Sequence, residues 1–87
     1  MAKIYIDRYS ELWRHTVKRV IDAEKKSKNY EEFARKMVTR LKRITHEEKI
    51  HYAIEVLRER NHHDIVDVYE GRLLMDEMVR RCAAGTF

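Results

Sequence analysis

The chain has no proline and only two glycines, Gly71 and Gly85, in 87 residues. Without those residues β-turns and hairpins are hard to build, because tight turns need backbone angles that few other residues adopt. Long helices joined by short polar links remain. Apolar residues are 44% of the chain and charged residues 39%. That is charge-rich for a globular domain and too apolar for disorder. The expected fold is all-α, a compact antiparallel bundle of four helices. Residues 1–87 form one helical domain, short enough to leave much of its surface exposed.

The spacing predicts a first helix from Asp7 to Lys26. Tyr5, Tyr9, Leu12, Trp13, Thr16, Val17, Val20 and Ile21 fall on one face of it. A second runs from Tyr30 to Arg43, capped by Asn29 with Glu32 reaching back, and buries Phe33, Ala34, Met37, Val38, Leu41 and Ile44. A third runs from His46 to Arg60, with a capping box of Thr45 and Glu48. Its core face is Ile50, Ala53, Ile54 and Leu57, widened by Tyr52 and Val56.

The fourth starts after the cap residue Asp64 and is expected to reach Ala83. Val68, Gly71, Met75, Met78 and Cys82 follow the 3-4-3-4 spacing of a helix–helix seam, while Val66, Tyr69 and Leu73 lie elsewhere. A helix apolar on two sides needs two neighbours. In so small a domain the second neighbour is expected to be another copy, which makes a homodimer through the C-terminal helix. Gly71 in that seam fits a close crossing or a kink.

Charge is divided unevenly. Residues 1–43 carry 13 Lys/Arg against 6 Asp/Glu, and residues 44–87 carry 6 against 9. Such asymmetry speaks about partners rather than fold. The solvent face of the second helix gathers Arg35, Lys36, Arg40, Lys42 and Arg43 on one arc, with Lys25, Lys26 and Lys28 just upstream. Arginine suits carboxylate and phosphate because its planar donors bind in pairs. The competing reading is a solvated face with cations near a helix C-terminus, as the helix dipole favours.

Catalytic and metal chemistry find little support. A single cysteine, Cys82, excludes an intrachain disulfide and a cysteine-based zinc site. Glu48–His51 and Glu59–His62 have the Glu-x-x-His spacing of carboxylate-bridged metal bundles, but the first projects off the core stripe and the second straddles a helix end. Arg58 and His63 match an Arg-x4-His spacing used in RNA cleavage, yet 11 Arg and 5 His yield about 0.6 such match by chance. Trp13, Tyr5 and Tyr9 read as core and core rim, and the methionines as core filling. No catalytic residue, metal, cofactor or small-molecule substrate is expected. No apolar stretch is long enough for a membrane span or signal peptide, so the expected location is cytoplasmic. The expected function is a small regulatory or adaptor protein, an inhibitor among its forms, acting by helix-surface recognition of a protein partner. The alternative is a nucleic-acid-binding regulator that uses the basic face of the second helix.

Overall fold

Helices start where a polar side chain can take up the first free backbone N–H groups. In the computed structural model, which describes residues 5–81, α1 (Glu11–Lys26) begins after Ser10. The Ser10 hydroxyl oxygen accepts from the Trp13 N–H at 3.2 Å and donates to the Asp7 carbonyl at 2.7 Å. The Asp7 carboxylate accepts from the Tyr9 N–H at 3.0 Å. This turn delays the helix by four residues relative to the apolar spacing. Tyr5 and Tyr9 therefore precede the helix and stand 80% and 88% exposed, instead of joining the core rim.

α2 (Tyr30–Arg43) has the expected cap, with Asn29 Oδ1 accepting from the Glu32 N–H at 2.9 Å. Glu32 reaches back one residue further than expected, to the Lys28 N–H. α3 (Glu47–Glu59) differs at its start. His46 takes the cap position and its side chain makes no capping bond, so the Thr45–Glu48 box does not form there. α3 ends on Asn61 at φ 66°, with the His62 N–H bonded to the Leu57 carbonyl at 2.7 Å. Asparagine tolerates that left-handed position, and the motif closes the last turn of the helix.

The expected fourth helix is two helices, α4 (His63–Tyr69) and α5 (Met75–Arg81). Gly71 sits between them at φ 82°. Its N–H bonds to the Val68 carbonyl and the Arg72 N–H to the Asp67 carbonyl at 2.8 Å, a glycine-terminated helix end. A residue without Cβ enters the left-handed region at little steric cost, so the chain turns here instead of carrying glycine through a helix. The 3-4-3-4 seam is broken accordingly. Val68 lies on α4, Gly71 in the turn, and Met75 and Met78 on α5, while Cys82 falls outside the described residues. Met78 is fully buried in the protein's own core, 0% exposed. The cap of α4 also moves, to His62, and Asp64 stands inside the first turn.

α1 packs against both α2 and α3, and α4 closes the opposite side against the same two helices. α3 is therefore buried along Tyr52, Ala53, Val56 and Leu57. Ile50 and Ile54 are only half-buried, a rotation from the expected face. Tyr52 turns inward because its ring meets Trp13 edge-on at 6.1 Å and its hydroxyl oxygen accepts from the Asp7 N–H at 2.9 Å.

One polar chain ties four helices together. His62 is 8% exposed and packs against the rings of Phe33 and Tyr30. Its Nε2 lies 2.6 Å from Glu24 Oε2, and its Nδ1 lies 3.2 Å from the Tyr30 hydroxyl. The Tyr30 hydroxyl donates to Asp64 Oδ1 at 2.6 Å. Arg60 Nη2 donates to Glu24 Oε1 at 2.7 Å. Burial pushes the Glu24 carboxyl upward, but the hydrogen bonds from Arg60 and His62 outweigh it and hold Glu24 below its ordinary value. Among the described residues, no buried side-chain nitrogen or oxygen lacks a partner.

Two outcomes follow from these elements. Gly71→Ala should lower stability by about 1 kcal/mol, because alanine is strained at positive φ. The added methyl would meet no atom within 4 Å, so backbone strain is the whole effect. In a continuous helix the same change would raise stability by about 1 kcal/mol, so the sign in urea melts separates the two structures. Glu24→Gln should cost about 1–3 kcal/mol at neutral pH, by loss of charge-assisted hydrogen bonds. Glu24 ionises more readily folded than unfolded, so its contribution is complete above the ordinary value of 4.5 and is lost as pH falls through the lower folded value. Melts of the two proteins should converge over that acid range.

Candidate anion-binding groove

The cations divide into two populations. On the α3–α4 side they are paired. Arg8 Nε donates to Glu59 at 2.8 Å, Arg60 binds Glu24, and Arg58 and Arg72 lie 4.0 and 3.7 Å from Glu70. The bond to Glu59 raises the pKa of Arg8 further. On α2, Arg35 pairs with Glu31 at 3.0 Å. Among the described residues, Arg19, Lys36, Arg40, Lys42, Arg43 and Lys49 form no ion pair, and neither do Arg14, Lys18, Lys25, Lys26 and Lys28 along and after α1 or Arg80 on α5.

The set expected from the sequence does not form one patch. Lys25 and Lys26 end α1, and Lys28 precedes α2. Arg40 and Arg43 lie at the far end of α2, roughly 20 Å away along the helix. Lys25 borders a shallow cleft along α1 with Arg8, Trp13, Arg14 and Lys18. Arg8 stacks over the Trp13 ring there, at 5.2 Å. Lys42 is exposed on the other flank of α2, and Lys36 is half-buried.

Arg40 and Arg43 instead border a groove of about 530 Å³. It opens where α2 ends, the link of residues 44–46 turns the chain, and α3 begins beside the first half of α1. Leu12, Val20, Met37, Leu41, Ile44 and Ala53 supply an aliphatic floor. His15, Arg19, Arg40, Arg43, His46 and Lys49 supply the rim, with Thr16 and Thr45 between. The lining contains no carboxylate and no Phe, Tyr or Trp ring.

His15, Arg19, His46 and Lys49 are the members that sequence reasoning missed as a group. The apolar spacing leaves His15 and Arg19 on the opposite, solvent side of the first helix, and Lys49 belongs to the acidic half. Their spacing held a partial signal. Arg19 borders the Leu12–Thr16–Val20 row, and Lys49 stands one turn before Ala53. What the spacing could not show is that α1 faces the α2–α3 link.

The rim offers several guanidinium and ammonium donors above an apolar surface, which suits carboxylate or phosphate beside an aliphatic group. The other polar cluster, around His62, borders neither this groove nor the α1 cleft. Of the Glu-x-x-His pairs, Glu59 is tied to Arg8 and His62 to Glu24. His51 lies 3.7 Å from Glu47. Among the described residues, no group of three His, Cys, Asp or Glu side chains could hold a metal ion, and no helix is long and apolar enough to cross a membrane. No protein-family model matches the chain, and no curated protein and no solved structure matches it either.

Proposed function

We propose that this protein is a small non-enzymatic regulator or adaptor that recognises a protein partner through the basic surface around α2. The observation that carries the reading is the contrast between the two populations of cations. Cations on the α3–α4 side have carboxylates beside them, whereas those around the groove have none. Gathering like charges without counter-charges works against a compact state, and an anionic partner relieves that repulsion. Helical domains without a catalytic constellation act by surface recognition. The reading places the protein in the cytoplasm. Self-association through the C-terminal segment remains part of it, carried by Leu74, 73% exposed, with Val68 and Met75, in place of a continuous seam.

One observation favours a second reading, nucleic-acid binding. Arg14, Lys18 and Lys25 line the α1 cleft beside Trp13, with Asp22 as a carboxylate among them, and Tyr9 stands exposed. Cations interleaved with aromatic rings are a common surface for single strands.

Reversing Arg35, Arg40 and Arg43 to Glu separates the readings. Helicity should survive, because the Phe33–Met37–Leu41 core face is untouched. Under the adaptor reading, capture of a partner from source-cell lysate persists after nuclease treatment and falls sharply in the triple variant. Under the nucleic-acid reading, capture disappears with nuclease. For duplex DNA, log affinity then falls with log salt at a slope of about −0.9 per phosphate contact. A triple variant that retains every interaction contradicts a role for this face.

A further inference from the structure

We infer that the groove between α1, the end of α2 and the start of α3 is a docking site for an acidic protein segment carrying an aliphatic anchor; this rests on the adaptor reading and names what that surface takes. Charge complementarity selects the acidic component. Arg19, Arg40, Arg43 and Lys49 come from three helices and converge on one opening that holds no carboxylate. Elsewhere Arg8, Arg35, Arg58, Arg60 and Arg72 each have a glutamate beside them. The floor selects the aliphatic component. Leu12 and Ile44 are only half-buried there, above buried Met37. An aliphatic side chain laid on them removes apolar surface from water on both partners.

The dimensions and the lining favour a peptide over nucleic acid. From Leu12 to Arg19 the α1 wall is about 10 Å long, the length of two helical turns or three extended residues. Bases of a single strand stack best on large aromatic rings, and the lining has no Phe, Tyr or Trp, only the imidazoles of His15 and His46. A second copy of the chain offers fewer free carboxylates than its acidic half contains, because Glu59 and Glu70 are already held by arginines of their own chain.

The test uses two labelled synthetic peptides, Glu-Leu-Glu-Glu-Leu-Glu and Glu-Gly-Glu-Glu-Gly-Glu, and an oligothymidylate, each titrated with the full chain by fluorescence anisotropy at low salt. The leucine peptide should bind roughly tenfold more tightly than the glycine peptide, as burial of a leucine side chain implies. Arg40→Glu with Arg43→Glu should weaken it by about tenfold or more. Thr16→Phe, which fills the groove without changing charge, should do the same. Arg72→Glu with Arg80→Glu makes an equal change in net charge at exposed positions outside the groove and should leave binding nearly unchanged. Circular dichroism checks that each variant is folded.

Equal affinity for the two peptides, equal losses from the two double reversals, or no peptide binding overturns the groove assignment. The adaptor reading then stands or falls on the nuclease experiment alone. Tighter binding of oligothymidylate than of either peptide overturns both. Self-association without peptide that Arg40→Glu with Arg43→Glu abolishes assigns the groove to a second copy and overturns the acidic-segment proposal.

Discussion

The contact between His62 and Glu24 is the joint on which this architecture turns. Chain reversal at Asn61 drives His62 inward instead of letting it follow the exposed end of α3. There it meets the last turn of α1 through Glu24, the first turn of α2 through Tyr30 and Phe33, and the first turn of α4 through the Tyr30–Asp64 bond. A buried polar group with one partner removed costs far more than a surface contact is worth. The chain satisfies each member, and Arg60 closes it on the solvent side. Around that joint the apolar faces of the helices have one consistent way to meet.

The groove is a consequence of the same arrangement. The C-terminal half of α1 is held between the start of α2 and the end of α3. Its N-terminal half then lies against the place where α2 ends and α3 begins. α2 and α3 pack on α1 and α4 more than on each other, so the link between them bridges an opening. Side chains at the margins of three apolar faces, Leu12, Ile44 and Ala53, form its floor. The cations bordering those faces form its rim. A surface that no single helix encodes thus arises where three amphipathic helices leave an edge uncovered.

Much of the fold was legible in the sequence. The 3.6-residue spacing marked α2 to the residue, and Asn29 announced its start. Three failures have physical causes. Tyr5 and Tyr9 continued the apolar spacing of α1, but the Asp7–Ser10 turn supplied a stronger start signal than two aromatic rings. Gly71 read as a seam residue because the 3-4-3-4 pattern ran through it. The pattern could not convey that a left-handed glycine ends the helix and sends Met78 into the protein's own core. His62 read as part of a pair straddling a helix end, because only the reversal at Asn61 turns it inward. The site was legible in part. Arg40 and Arg43 were identified as candidates, but as members of an arc on one helix. Their companions Arg19 and Lys49 join them only through the packing of α1 against the α2–α3 link.

The central claim is that recognition occurs in the groove and not across the whole basic surface. Nitrogen-15 amide spectra of the labelled protein, titrated with the leucine-containing acidic peptide, test it residue by residue. The account predicts saturable shifts confined to residues 12–19, 40–46 and 49–53, with the α3–α4 side around Glu55, Asp67 and Glu70 unmoved. Shifts spread evenly over Lys25, Lys28, Arg35 and Lys42, or centred on the acidic half, would contradict it.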